Sequence, residues 1–283
     1  MRRCQVTPKG IAQAIHEAVT SLEFFAETTM NENPFASPEN VGTTVKSSGW
    51  SRGKKYLLGC GIVVALWAVF LLPMTRRAGD AARRTQCRNN LKTIGLALWN
   101  YNNRYGSFPP AYTVDSGGRP LHSWRTLILP FIEEEVLYSS IDLSRPWDDP
   151  ANKAAFEKQP NVFRCPSLGG RPGLTTYLGV AGEGCFFHGS TSRRESEIKD
   201  GTSQTLMVIE TPEDRAVPWM APQDADQQMV LGLTADSELS HAGGFYAVFA
   251  DGSATFISAG LPASVRSAVM TIAGNDTLGE HEY

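Results

Sequence analysis

The feature that most constrains this chain is an apolar run from Tyr56 to Met74, YLLGCGIVVALWAVFLLPM, with no charged residue in it. As a helix rising ~1.5 Å per residue it extends roughly 28 Å, close to the ~30 Å hydrocarbon core of a bilayer. A buried helix of a globular core would show polar periodicity, and this run shows none. Basic clusters flank it, Arg52, Lys54 and Lys55 before and Arg76 and Arg77 after, as at the two faces of a membrane. The run therefore predicts a transmembrane helix over 56–74. Because so much chain precedes it, it reads as a retained anchor rather than a cleaved signal peptide. The tetrad Leu57-Leu58-Gly59-Cys60 has the look of a lipoprotein cleavage box, but such a box needs its apolar stretch before the cysteine, and here the stretch follows.

The flanking charges nearly balance. Lys46, Arg52, Lys54 and Lys55 lie before the span, and Arg76, Arg77, Arg83, Arg84 and Arg88 after it, so local charge alone slightly favours the inverted orientation. The N-terminal side divides at Met30. Ile11, Ile15, Ala18, Leu22 and Phe25 recur at helical spacing before it, whereas 31–49 is polar, rich in Pro, Gly, Ser and Thr, and aperiodic. Residues 1–55 are expected to be a disordered cytoplasmic tail, with 1–29 a candidate for translated sequence upstream of a start at Met30. The formal net charge of -3 excludes a strongly basic nucleic-acid binder, and the basic stretch Arg76 to Lys92 suits lipid phosphates directly after a span. With 42% hydrophobic residues the chain can build a core, and its 26 Gly and 17 Pro predict many turns.

Beyond the span, Cys87, Leu91, Ile94, Leu98, Tyr101 and Tyr105 step by 4, 3, 4, 3 and 4, one narrow stripe of a helix that needs a core to face. Gly106 and the pair Pro109-Pro110 stop it. One helix over about 55–105, kinked at Pro73, is the simplest account. Ser123 to Tyr138 suggests a second helix broken near Pro130, and 146–150 leads into a short third. Strands are expected over 175–180, 205–209 and 244–250, the last joined through Asp251-Gly252 to 254–257 as a hairpin. Pro262 and Gly274 frame a terminal helix, and 275–283 reads as a frayed tail. The fold class is α+β, with residues 75–283 as an extracytoplasmic domain packed on the end of the long helix.

Of the five cysteines, Cys4 lies in the tail and Cys60 in the span, leaving Cys87, Cys165 and Cys185 outside. A Cys87–Cys165 bridge would pin the helix to the sheet; buried free thiols or a Cys165–Cys185 pair remain open beside it. No Cys-x-x-Cys or clustered-histidine spacing supports a metal site, and no cofactor is expected. His241 and Asp251 do not suggest a hydrolase, since no Gly-x-Ser-x-Gly elbow occurs and Asp251-Gly252 serves a turn. The acidic groups Glu133-Glu134-Glu135, Asp148-Asp149 and Asp224 with Asp226 read as solvated surface, calcium being the functional alternative. Trp147 and Trp219 read as packing residues, with ligand stacking as the alternative.

Several motifs in series, AARRTQCRNNLK over 81–92, IGLAL over 94–98, YGSFPP over 105–110, FRCPS over 163–167, DGTS over 200–203, VPW over 217–219 and His241-x9-Asp251-Gly252, resemble a large bacterial family of pilin-like proteins with a C-terminal domain of unknown function. The resemblance covers about 75–273. It implies a prepilin-like helix with its N-terminus in the cytoplasm, a small β-containing head outside the inner membrane, and no established activity. Typical members open the span with Gly-Phe-Thr-Leu-x-Glu, whereas here Gly53 is followed by Lys54-Lys55-Tyr56 and the span holds no acid. The expected function is thus a membrane-anchored, pseudopilin-like structural or secretion-associated protein, not an enzyme and not fibre-forming. Its expected partners are the lipid bilayer and other envelope or secretion proteins, not nucleic acid. An older solute-binding label for the family makes a ligand- or glycan-binding ectodomain the alternative.

Overall fold

The computed structural model describes residues 52–167, 171–234 and 236–274. Between 52 and 78 the described side chains are few, among them Tyr56, Cys60, Val64 and Trp67. The expectations for residues 1–51 and for 275–283 fall outside the described residues. The chain forms two compact units, 1–61 and 62–283. Of the first, the described part is the opening of a helix; the second holds everything below.

The helix, α1, is Arg52–Tyr105. The run 56–74 lies inside it, with most of its side chains outside the described set. Among the described residues, no helix is long and apolar enough to cross a membrane. In the second unit the fold is α+β. A four-stranded antiparallel sheet has the order β4-β5-β7-β8, built from β4 (Tyr177–Gly179), β5 (Leu206–Glu210), β7 (Gly244–Phe249) and β8 (Ala254–Ser258). Two smaller antiparallel pairs join β1 (Tyr112–Val114) to β2 (Pro120–Ser123) and β3 (Leu174–Thr175) to β6 (Val217–Pro218).

The sheet is covered on both faces, which is why its strands read as unbroken apolar runs. Along β7, Tyr246 and Val248 point to the core that contains α1, while Phe245, Ala247 and Phe249 point to a second core with Val230, Leu233, Val269 and Met270. That alternation is the period of two that a pleated strand imposes. In β5, Met207 and Val208 both join the first core, and the register of its pairing with β7 shifts between Leu206 and Val208. A bulge there re-aims one side chain.

On α1 the stripe packs as its spacing implies: Cys87, Leu91, Ile94 and Leu98 are wholly buried and Tyr101 partly so. Tyr105 departs from the expectation, being 58% exposed. Gly106, at φ 76°, ends the helix there, and Tyr105 is left at the rim against Tyr101 and Phe131. The contact between α1 and the hairpin is close because residue 95 has no side chain. A Cβ on Gly95 would lie 2.9 Å from Val248 Cγ1 and 3.1 Å from the Gly252 carbonyl oxygen. Trp99, one turn on, donates its indole N–H to Ala250 O at 2.8 Å.

The segment expected as one broken helix is a helix at Trp124–Leu127, a 3-10 turn at Leu129–Phe131 and a helix at Glu135–Ser139. Asp149 caps the turn Pro150–Asn152, which leads into a helix at Lys153–Phe156. The strand expected over 175–180 divides instead at Thr176, because Thr175 pairs with Val217 while Tyr177 pairs with Glu210.

Candidate functional site

Four buried side chains from four separate segments converge under the sheet: Cys87 from α1, Cys165 from the turn after the 3-10 helix Asn161–Phe163, Glu210 from the last residue of β5, and His241 from the segment leading into β7. One potential ligand atom from each lies within 4.8 Å of every other. Local structure places them. Asn90, one turn along α1 from Cys87, donates its amide to Arg164 O at 2.9 Å and so holds the Cys165 turn on the helix. Glu210 is registered opposite Tyr177, and the His241 ring meets the Tyr246 ring edge-on at 5.1 Å.

The sulfurs of Cys87 and Cys165, the candidate bridge, lie 2.7 Å apart and are not bonded in the structure. They share their space with an acid and an imidazole that the sequence had not put beside them. His241 Nε2 is 3.2 Å from Glu210 Oε2, but not in hydrogen-bonding geometry. Both Glu210 oxygens and His241 Nε2 are buried without a hydrogen bond. A buried carboxylate with no donor is costly.

The charges are strongly interdependent. Contact with Cys165, and with His241 behind it, brings Cys87 down to about 5 against the opposing effect of burial. The same contact with Cys87, together with burial, drives Cys165 well above the ordinary thiol value. Burial works to lower His241, but Cys87 and Glu210 outweigh it and raise the imidazole to about 9. Both shifts favour the charged forms of Cys87 and His241, which the cluster places beside a second thiol. A cavity of about 20 Å³ reaches Cys165 from between Arg164, Thr176 and Ala216, room for about one water molecule.

The other residues singled out from sequence lie elsewhere. Asp251 and Gly252 form the turn at the far end of β7 from His241, roughly 20 Å away at ~3.3 Å per strand residue. Asp251 accepts from the Ser253 amide at 2.8 Å, and Gly252 takes φ 83°. Trp219 is fully buried, stacked on Phe163 and donating to Phe156 O at 2.8 Å, while Trp147 packs half-buried against Phe156. A surface cleft of about 570 Å³ includes Asp214, Asp226 and Asp236 and neither tryptophan.

Asp224 corrects the expectation of a solvated acid. Its side chain is only 4% exposed, and its Oδ1 accepts from Arg125 at 2.7 Å, the Gly179 amide at 2.8 Å and the Trp124 indole at 3.0 Å. Burial raises its carboxyl, and Arg125 only partly offsets that. Arg125, itself wholly buried, also donates to Tyr177 O and Gln223 O. This is a buried ion pair in which Oδ1 meets three protein donors while Oδ2 is buried without a hydrogen bond.

Glu210 and Arg125 were missed from sequence. The one available signal was an acid closing an apolar strand, Leu206-Met207-Val208-Ile209-Glu210, on which period-two alternation places Glu210 on the α1 side with Val208.

Residues 76–182 match the family model SBP_bac_10, described as protein of unknown function (DUF1559). The matched segment carries Cys87 and Cys165, while Glu210 and His241 lie beyond it. No curated protein matches the chain. No solved structure matches it either.

Proposed function

We propose that this protein is a single-pass, membrane-anchored, pseudopilin-like component of the cell envelope, structural or secretion-associated, with its N-terminus in the cytoplasm and its α+β head outside. The observation that supports it best is the double use of one helix: α1 contains the charge-free run 56–74, and further along it buries Cys87, Leu91, Ile94 and Leu98 as the spine of the head. A helix that anchors at one end and nucleates a small β-containing head at the other is the arrangement of pilin-like proteins.

The sequence before the run argues against fibre entry. A processed amino terminus in an apolar fibre core needs an acid to neutralise it, because a lone charge there is expensive. The run holds none, and Arg52, Lys54 and Lys55 stand directly before it. The protein is therefore expected to stay uncleaved at Gly53 and to sediment with membranes. Intact-mass analysis of the protein from washed membranes, with immunoblotting of sheared surface filaments, tests this. A form beginning at Lys54, or the protein in filaments, would restore an ordinary pilin role. Of the two candidate stacking residues of the ligand-binding alternative, Trp219 is buried against Phe163 and Trp147 is half-buried against Phe156.

A further inference from the structure

We propose that Cys87, Cys165, Glu210 and His241 are the ligands of one transition-metal ion of the zinc class, which ties α1, the 163–167 turn, β5 and the start of the hairpin together. Two sulfurs, an imidazole nitrogen and a carboxylate oxygen lie mutually within 4.8 Å, the pairs Cys87–Cys165 and Glu210–His241 at 2.7 and 3.2 Å. Tetrahedral bonds of ~2.0–2.3 Å place ligand atoms roughly 3.3–3.8 Å apart, so modest side-chain rotations that part the sulfurs create the site.

The polar atoms that the protein leaves unanswered point the same way. Both oxygens of Glu210 and Nε2 of His241 are buried without a hydrogen bond, and one ligand atom of each residue lies within 4.8 Å of both sulfurs. A disulfide between the cysteines accounts for two of the four residues and leaves an acid and an imidazole buried against it. A His241–Glu210 ion pair accounts for the other two and leaves the thiols. A divalent cation engages all four at once, since it replaces the two thiol protons, takes imidazole in its neutral form and coordinates the carboxylate, leaving one net negative charge on the site.

The donor set selects the ion. Thiolate and imidazole favour zinc-class metals, whereas calcium and magnesium prefer all-oxygen shells. Four protein ligands in a buried setting make a closed site, which is structural rather than catalytic. The nearby cavity of about 20 Å³ is in keeping with this. Asn90, which fastens the Cys165 turn to α1, is the supporting residue that positions the second sulfur.

The full chain, purified in detergent without chelator or reductant, provides the test. Elemental analysis should find about one zinc-class ion per chain, with loss of that ion in Cys87→Ser and His241→Ala and retention in Cys185→Ser, whose thiol is buried in the other core. Because a ligand variant could fail to fold, reduced metal-free wild type is also titrated with cobalt(II). Uptake should reach about one equivalent and develop thiolate-to-metal charge-transfer bands. Isolation of metal-free protein with Cys87 and Cys165 joined as cystine overturns the assignment. So does folded, reduced protein whose thiols alkylate freely and which takes up no cobalt.

Discussion

The indole N–H of Trp99 on α1 donates to the carbonyl of Ala250 at 2.8 Å and thereby fastens the helix to the turn of the β7–β8 hairpin. Ala250 is wholly buried. Trp99→Phe keeps most of the ring's packing against Phe108 but leaves a buried carbonyl with one partner fewer, a loss of about 1–3 kcal/mol. Chemical unfolding of the full chain in detergent should show a lower midpoint at unchanged slope. An unaltered midpoint would mean that the contact contributes nothing.

Gly95→Ala gives the opposite sign to helix propensity. Alanine is favoured over glycine within a helix by up to ~1 kcal/mol. Here its methyl would sit 2.9 Å from the β-branched Val248 and 3.1 Å from a backbone oxygen, neither of which yields easily. Overpacking of that kind costs about 1–3 kcal/mol, so the variant should melt lower than wild type. A stabilised Gly95→Ala would show that α1 and the hairpin are not in this contact.

The Arg125–Asp224 pair yields a prediction about how two substitutions combine. Arg125→Met leaves the Asp224 carboxylate buried with two neutral donors, the Gly179 amide and the Trp124 indole, and should cost about 3–5 kcal/mol. Arg125→Met with Asp224→Leu should cost less than Arg125→Met alone, because no uncompensated charge remains. Equal losses in the single and double variants, measured by thermal unfolding, would contradict a buried ion pair.

His122 gives the head a pH dependence. Its Nε2 lies 2.7 Å from Arg145 O, so that nitrogen carries the proton, while Nδ1 is buried without a partner. Burial lowers the imidazole below its ordinary value of 6.5. The unfolded chain then binds the proton first as pH falls. The contribution of His122 to stability is complete above about 6.5 and is lost as pH falls from there toward its lower folded value. His122→Gln should flatten the melting profile across that range, and profiles of identical slope would rule the effect out.

What could be read from sequence was what repeats along the chain. The spacing of Cys87, Leu91, Ile94 and Leu98 located the buried helix face, and Asp251-Gly252 between two apolar runs located the hairpin. What could not be read depends on residues meeting from far apart. Asp224 sits in a polar stretch, PQDADQQ over 222–228, that looks solvated until Arg125 is brought to it. The four-residue cluster has no linear spacing because each member comes from its own segment, so motif rules that find zinc fingers pass over it. Thr176 splits one predicted strand because the same short run serves two sheets.

Topology is where the central claim, an anchored protein with its head outside, meets its most direct test. The full chain carrying one epitope at the N-terminus and another at the C-terminus is expressed in a bacterial host, and intact spheroplasts are treated with protease. Both epitopes should fractionate with the membranes before treatment. Afterwards the C-terminal epitope should be lost and the N-terminal one retained on a short membrane-bound fragment. Both epitopes in the soluble fraction, or a head protected until the spheroplasts are lysed, would contradict the account.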